Sequence, residues 1–553
     1  MDLGDVEIEL TAPVPKRRAR AAAAAPSDTL FKKDLKTVPG LAALRAAAPA
    51  IAPVSTMTTA YFIPRNILEQ TRTLKTLQDV LTAYPKSKKF QGRETRKPWP
   101  MWHERGDFIA VPREFGTSVF GKPGIVRTSP GLSIDLTTAC PLLNASTCAA
   151  VNGIDQERAV NHVEQFLRSR VETLGFGACI FCISPGYGKT SCAAHLIQRL
   201  GRKALFIVPN EPFVAQVAAE MQKFLGDSVR VGTLATSVKR NWDVKDKDIV
   251  VAMAKSVATI SYDLSEYGTV IVDEAHEYAT DMFSQMFYRF GAQHVILLTA
   301  TPERAADHCG SYLEWLAGPV QWLEKRDISK LRWGGVDVIT FVLNYVEYSL
   351  KEVILKSGEP YLEAITRQIV SKPVRNKFMV EHVLLPRLRA GRRIIVLGTR
   401  VEHMENVERM LQKDYGIETG IIVGTHSDGS RLSSEDRNVA QTKPILFASI
   451  SIACKALNIP ELSTLVLLSG GSYVNATFWE QAVGRITRDH PDKHSPEVVL
   501  IKDVYSSQVK EDGMMAACVD AACKTLLKYS PDGFRFQSTE VNLYADEYDV
   551  AQQ

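Results

Sequence analysis

From about residue 150 onward the chain alternates two hydrophobic patterns. Short runs that are apolar at nearly every position are separated by longer stretches with helical spacing. The first series of runs is ACIFCIS (178–184), ALFIVP (204–209), DIVVAM (248–253), TVIVDE (269–274) and HVILLTA (294–300). A strand that is apolar on both of its alternating faces is covered on both, as in a parallel sheet flanked by helices. A second series follows: RRIIVLG (392–398), GIIVG (420–424), PILFAS (444–449), STLVLLSG (463–470) and EVVLIKD (497–503). Two consecutive series predict an α/β chain with two similar parallel-sheet domains, over 146–318 and 319–510, and a cleft between them.

The flanks read differently. Residues 1–57 are rich in Ala, Pro and Lys and poor in large apolar residues, which predicts a disordered basic tail. Its cluster Lys16, Arg17, Arg18 and Arg20 suits a nuclear-import signal, a nucleic-acid arm or a plain solvated tail. Residues 58–145 regain aromatic and β-branched residues and form an expected N-terminal accessory domain, in which GDFIAVPREFG (106–116) reads as a strand followed by a turn. Here Lys86, Lys88, Lys89, Arg93, Arg96 and Lys97 run into Trp99 and Trp102. Two readings stay open, a stacking surface for single-stranded nucleic acid and a loop whose tryptophans complete a small core. Residues 511–553 read as an amphipathic helix, GMMAACVDAACKTLLKY (513–529), and a frayed acidic tail.

Composition narrows the class without giving a function. The 553 residues are 45% hydrophobic and 23% charged, an ordinary soluble balance, and no apolar run approaches the ~20 residues of a membrane span. The 66 basic and 62 acidic side chains leave +4, which excludes a histone-like protein but not a local basic groove. Nine scattered cysteines and an acid-rich first decapeptide predict a reducing intracellular compartment, nucleus or cytoplasm, with no secretory leader.

The chemistry lies in short segments. ACIFCIS runs into Pro185-Gly186-Tyr187-Gly188-Lys189-Thr190-Ser191 and then a helical pattern. Glycines there let backbone N–H groups crowd around phosphate oxygens, and the following helix N-terminus adds favourable potential. Lys189 is placed to reach β- and γ-phosphates, and Thr190 to put its hydroxyl on Mg²⁺. The usual first glycine of such a loop is replaced by Ile183. Cys179 and Cys182 make a C-x-x-C in the preceding strand, but in an all-apolar run without a partner pair they read as buried thiols. TVIVDEAHEY ends a second strand on Asp273 and Glu274, where carboxylates face ligands at the sheet's carboxyl edge. Asp273 suits Mg²⁺, Glu274 suits the base that activates water, and His276 suits a reporter of nucleotide state.

With these two motifs the chain resembles a superfamily 2 helicase of the DExH type, from about Asp155 to Asp503. The resemblance implies two tandem RecA-like domains and ATP with Mg²⁺ as cofactors. It assigns Thr299 and Thr301 to coupling, and Pro209 and Gln216 in PNEPFVAQ to nucleic acid, together with Arg400 in VLGTRVEHMENV. Gln156 stands where related enzymes read adenine. Gln481, Gly484, Arg485 and Arg488 match the sixth motif, whose two arginines, three apart on a helix, neutralise the transferring γ-phosphoryl group. SISIACKALNIP departs from the fifth motif, with Ala456-Leu457-Asn458 in place of Gly-Leu-Asp, so Asn458 keeps a hydrogen-bonding side chain without the charge.

The finer resemblance is to helicases of large DNA viruses, including the poxvirus transcript-release type, and to phage branch-migration helicases. It rests on Tyr187, on VPREFG, and on Arg375-Asn376 before the fourth motif. It implies a translocase on nucleic acid, DNA before RNA, with 3′-to-5′ polarity, with transcription or replication machinery as candidate partners in a viral factory, virion or nucleus; the oligomeric state stays open, a monomer being compatible. The residues themselves leave DNA and RNA open. A DNA-packaging ATPase would need clustered nuclease acids in place of the sixth motif. A catalytically weak helicase-fold scaffold is the non-enzymatic alternative.

Overall fold

The structure, a computed structural model, describes residues 38–84, 89–90, 93–94, 97–144, 155–235, 242–259, 262–300, 312–324, 327–345, 367–368, 370–450, 457, 459–468, 476–488, 490–505, 510–544 and 547–550. They form two compact units. One has the bounds Met1–Cys140, Val160–Cys182 and Ala193–Trp322; the other has Pro141–Ala159, Ile183–Cys192 and Leu323–Gln553.

The first large sheet has strands β1 (Gly177–Ile183), β2 (Ala204–Val208), β3 (Val231–Leu234), β4 (Ile249–Met253), β5 (Thr269–Val272), β6 (His294–Thr299) and β7 (Val320–Glu324), in the order β3-β4-β2-β5-β6-β1-β7. Every pairing from β3 through to β1 is parallel. Each residue of β1, β2, β5 and β6 is buried, as their unbroken apolar runs predict. The crossover helices carry mixed faces, as an amphipathic cover requires.

The residues before this sheet fold onto it. A five-stranded sheet runs His103–Arg105, Phe108–Val111, Tyr61–Pro64, Thr56–Met57, Ile125–Val126. Its Met57, Ile63 and Val111 share one hydrophobic core with Phe176, Val272 and Leu297 of the first large sheet's domain. Helix α1 (Arg113–Phe120) makes the joint. Phe115 packs edge-on against Trp315 at 5.1 Å, and burying such a ring contributes about 1.5–3 kcal/mol. Arg113 donates to the Ala292 carbonyl at 2.8 Å. Arg170 on helix α2 (Gln156–Leu174) donates to both Glu114 oxygens, at 2.9 and 2.7 Å. Burial pushes the Glu114 carboxyl up to about 7 against the opposing pull of Arg170.

Three expectations change in this region. The tail does not extend to residue 57: Leu41–Ala46 and Ala48–Ile51 are helical, and Leu41, Leu44 and Ile51 are buried in the shared core. VPREFG is a strand end followed by α1 rather than by a turn, because Pro112 sits at the N-cap, where its missing N–H costs nothing. Trp99 is buried and Trp102 packs on the same core, so the core reading of this pair replaces the stacking surface. Lys86, Lys88 and Arg96, like Lys16, Arg17, Arg18 and Arg20, lie outside the described residues.

The second large sheet has β8 (Val336–Tyr345), β9 (Arg393–Gly398), β10 (Thr419–Ile422), β11 (Ile445–Ser449), β12 (Leu462–Leu467), β13 (Glu497–Tyr505), β14 (Phe534–Leu543) and β15 (Tyr548–Val550). Their order is β10-β11-β9-β12-β13-β8-β14-β15, parallel except for the final β14–β15 pair. The C-terminal helix is present over Lys510–Tyr529, with Val519, Ala522 and Leu526 buried. Beyond it the expected frayed tail is instead the sheet edge β14 and β15. Tyr548 anchors that edge by donating its hydroxyl to Glu381. The two parallel sheets are the tandem RecA-like architecture, with the accessory sheet fused to the first.

Candidate active site

The phosphate-loop candidate is held from three sides within its own unit. Gly186 and Gly188 take φ values of +81° and +93°, a left-handed conformation that admits glycine without strain. Left-handed backbone of this kind is what anion-cradling turns use. Helix α3 (Lys189–Leu200) starts at once, with Lys189 and Thr190 half-buried on its first turn and Ser191 buried. Tyr187 is not a ligand-facing ring. Its side chain is buried and its hydroxyl donates to the Asp155 carbonyl at 2.9 Å, so it anchors the loop. Gln156 donates from Nε2 to the Tyr187 carbonyl at 2.6 Å and accepts at Oε1 from Leu143 N–H at 3.0 Å.

The sixth-motif helix α5 (Ala476–Ile486) meets this loop in the same unit. A Cβ at Gly484 would lie 2.5 Å from Pro185 Cβ, so only glycine allows this approach. Arg485 follows, and its Nη1 donates to the Leu457 carbonyl of the fifth-motif segment. Gln481 is half-buried one turn earlier. The helix ends at Ile486, so Arg488 stands just past it rather than on a shared helical face; its carbonyl takes a 2.8 Å bond from Lys493.

The acidic strand end lies in the other unit. Strands β1, β6 and β5 are parallel neighbours and end at one edge of the sheet. Asp273 Oδ1 caps the Glu274 N–H at 2.9 Å. Glu274 sits at φ 50°, ψ 48°, a left-handed conformation that costs a non-glycine residue about 1–2 kcal/mol. Such strain persists where the surroundings over-determine it, commonly at functional positions. His276 Nδ1 shares a 3.2 Å hydrogen bond with Thr299 Oγ1 and lies 3.5 Å from Glu274 Oε2, while its Nε2 is 3.6 Å from Glu277. One imidazole thus touches Glu274, Glu277 and the end of β6.

Tyr278 was not legible as part of this group. Its hydroxyl is buried, and burial with the charges of Asp273, Glu277 and Glu274 holds it well above the usual phenol range. The signal was its place four residues past Glu274. Pro209 is buried in the turn after β2, and Gln216 is half-buried on the next helix, donating to Glu220 at 3.0 Å. Arg400 is half-buried at the N-cap of helix α4 (Val401–Tyr415). Thr301 and Asn458 lie outside the described residues. Arg375 is wholly buried and Asn376 is bonded to His403 at 2.9 Å, so that pair builds the core instead of a ligand site. Cys179 and Cys182 are buried too; burial raises the Cys179 thiol far above its usual range, and Cys182 donates to the Ala300 carbonyl at 3.3 Å.

The donor set fits ATP with Mg²⁺. The left-handed glycines and the α3 N-terminus suit phosphates, and the Thr190 hydroxyl beside them is a hard oxygen of the kind Mg²⁺ takes alongside phosphate and water; in the other unit the Asp273 carboxylate is another. No group of three or more His, Cys, Asp or Glu that could cage a metal occurs among the described residues.

Residues 154–304 match the family model for the type III restriction enzyme, res subunit. A putative ATP-dependent RNA helicase of Acanthamoeba polyphaga mimivirus is 21% identical over 82% of this chain and 82% of its own. The probable helicase D10 of Escherichia phage T5 is 27% identical over 63% of this chain and 73% of its own. The transcript termination protein A18 of vaccinia virus is 22% identical over 71% and 80%. The solved structure of S. cerevisiae Dbp5 bound to RNA and ADP BeF3 aligns over 70% of this chain at 12% identity, with a TM-score of 0.48, too low to bear on the site. In its ordered motifs, its two parallel sheets and these relatives the chain is similar to the superfamily 2 helicases, and it is an ATP-dependent enzyme.

Proposed function

We propose that the chain is a DNA translocase with 3′-to-5′ polarity that serves transcription, replication or recombination of a large DNA virus. The observation that carries the reading is the His276–Thr299 hydrogen bond. It joins the hydrolytic acids to the segment that the helicase resemblance assigns to strand movement. In this reading Lys189 would hold the β- and γ-phosphates, Thr190 and Asp273 would each offer an oxygen to Mg²⁺, and Mg²⁺ would neutralise charge on the phosphate oxygens. Glu274 takes the proton from the attacking water. Arg485 and Arg488 neutralise charge that develops on the γ-phosphoryl group. Gly484 lets the helix bearing them approach Pro185. A change at the γ-phosphate then passes from Glu274 through His276 to Thr299, and from there to nucleic acid held mostly by its backbone.

The phage relative, a probable helicase, and the poxvirus relative, a transcript termination protein, support work on nucleic acid in a virus, and the resemblance to helicases of large DNA viruses is the ground for DNA. The printed name of the mimivirus relative supports RNA as the second reading. No helix among the described residues is long and apolar enough to cross a membrane. Strand displacement on matched DNA and RNA duplexes with a 3′ or a 5′ overhang tests the proposal. ATP-dependent displacement is expected on DNA with a 3′ overhang. Displacement only from 5′ overhangs, or only on RNA, overturns it.

A further inference from the structure

We infer that Lys493 is the positioning residue for Arg488. Its ammonium ties the end of the sixth motif to the end of the fifth, and that tie sets how Arg488 stands towards the γ-phosphoryl group. The inference rests on the role proposed above for Arg488 and adds the residue that holds it in place.

Three observations carry it. First, the helix does not place Arg488. Helix α5 ends at Ile486, and Thr487 closes its last turn, with both its N–H and its hydroxyl bonded to the Val483 carbonyl at 3.0 Å. Arg488 comes after that turn, where a backbone carbonyl no longer has a helical partner. Second, Lys493 supplies one. Its Nζ donates to the Arg488 carbonyl at 2.8 Å and to the Pro460 carbonyl at 3.0 Å. Pro460 is the last residue of the fifth-motif segment 449–460. Third, the ammonium is built in. Lys493 keeps 7% of its surface, and a lysine is rarely so buried unless it is paired. An ammonium has donors only, so backbone carbonyls are acceptors that fit it.

The loop that carries Lys493 is itself gripped. Lys493 N–H donates to the His490 carbonyl at 3.3 Å, so the chain turns back after the motif. Arg332 Nη2, just ahead of β8, donates to the carbonyls of His490 and, at 3.4 Å, Pro491. Trp333 stands beside both cations, its ring centroid 4.3 Å from the Arg332 guanidinium and 6.0 Å from Lys493 Nζ, within the range in which an aromatic face attracts a cation. The ammonium is therefore held from the β8 side, and it holds the Arg488 backbone in turn. All of these residues belong to one unit.

A second tie runs alongside. Arg485 Nη1 donates to the Leu457 carbonyl, three residues before Pro460. Both arginines assigned to the γ-phosphoryl group are thus fastened to the fifth motif, Arg485 by its own guanidinium and Arg488 by its backbone through Lys493. An arginine in this role acts on charge that develops in the transition state, so its misplacement falls on kcat and not on nucleotide binding. A shift of about 1 Å in a positioned group costs on the order of 10²-fold.

Lys493→Met keeps the length of the side chain and loses both bonds. In the full chain with saturating single-stranded DNA, counted per folded molecule, it is expected to lower kcat for ATP by roughly 10- to 100-fold, with KM within about threefold of wild type. Arg488→Ala is expected to lower kcat at least as far. In the Arg488→Ala background, Lys493→Met is expected to cost no more than about twofold further, because the group it positions is gone. A lysine that serves stability alone gives either unchanged kcat per folded molecule or the same loss in both backgrounds, and each of these overturns the inference. A loss that falls on KM also overturns it. Should Lys493→Met not fold, Lys493→Gln, which keeps an amide donor on a shorter chain, carries the same cycle. A kcat loss above about threefold that vanishes in the Arg488→Ala background upholds the inference, and no loss, or an equal loss in both backgrounds, overturns it. Wild-type turnover in Arg488→Ala contradicts the proposed arginine role and this inference with it. An Arg488→Ala defect without a Lys493 defect overturns this inference alone.

Discussion

Glu274→Gln is expected to lower nucleic-acid-stimulated ATP turnover by roughly 10²–10⁴, while ATP binding stays within a few-fold of wild type. Gln keeps the size of the side chain and its place beside His276 but cannot take a proton from water. The backbone adds a second, independent expectation. Glu274 is held at φ 50°, ψ 48°, where a Cβ crowds the following carbonyl. Glu274→Gly and Glu274→Ala both lose the carboxylate and differ only at that Cβ. The glycine variant should therefore be more stable than the alanine variant by about 1 kcal/mol, in denaturant midpoints at equal slope. Glycine being no better would show that the conformation is unstrained. Turnover surviving in Glu274→Gln would remove the residue from the role of base.

Arg375→Met is expected to destabilise the second-sheet unit by about 3–5 kcal/mol, read as loss of its cooperative unfolding transition at ordinary temperatures. Arg375 is fully buried and clasps Asp503, Nε to Oδ1 at 2.8 Å and Nη2 to Oδ2 at 3.0 Å. Nη2 also bonds the Leu468 carbonyl at 3.0 Å, and the Tyr345 hydroxyl donates to Asp503 at 2.6 Å. Removing one partner strands a buried charge, and that penalty, more than the attraction lost, sets the size of the effect. Replacing both partners by apolar residues avoids the stranded charge. The double variant Arg375→Met/Asp503→Leu should consequently be more stable than Arg375→Met alone. A double variant as unstable as the sum of the two single changes would contradict the buried-pair account. The network joins β8, β13 and the end of β12, so the expected cost falls on folding rather than on turnover by the folded fraction.

What the sequence revealed, and what it hid, follows from the range of each interaction. The five runs ACIFCIS to HVILLTA and the five from RRIIVLG to EVVLIKD became strands with ends shifted by at most three residues, because burial on both faces marks them without reference to neighbours. VDVITFVLNY alternates buried and half-buried positions and lies between β13 and β14, so its strand depends on partners more than 150 residues away and was not anticipated. The C-terminal β14 is exposed at most of its central positions, which left composition pointing to a tail. Leu41, Leu44 and Ile51 stand in an alanine-rich stretch and turn inward. Lys189, Asp273 and Glu274 were legible because their chemistry is written in contiguous residues. Gln156 was legible as a position, but its commitment to Leu143 and Tyr187 joins points 13 and 31 residues away. Gly484 was part of a motif, but its reason, a backbone approach to Pro185, comes from packing alone.

The central claim is that the phosphate loop drives an ATPase coupled to nucleic acid. Its most direct measurement is steady-state ATP hydrolysis by the full chain, with and without single-stranded DNA, duplex DNA or RNA, for wild type and Lys189→Ala side by side. Hydrolysis that rises on adding nucleic acid and is lost in Lys189→Ala is the predicted result. No hydrolysis with any of the three, or stimulated hydrolysis that survives in Lys189→Ala, would contradict it.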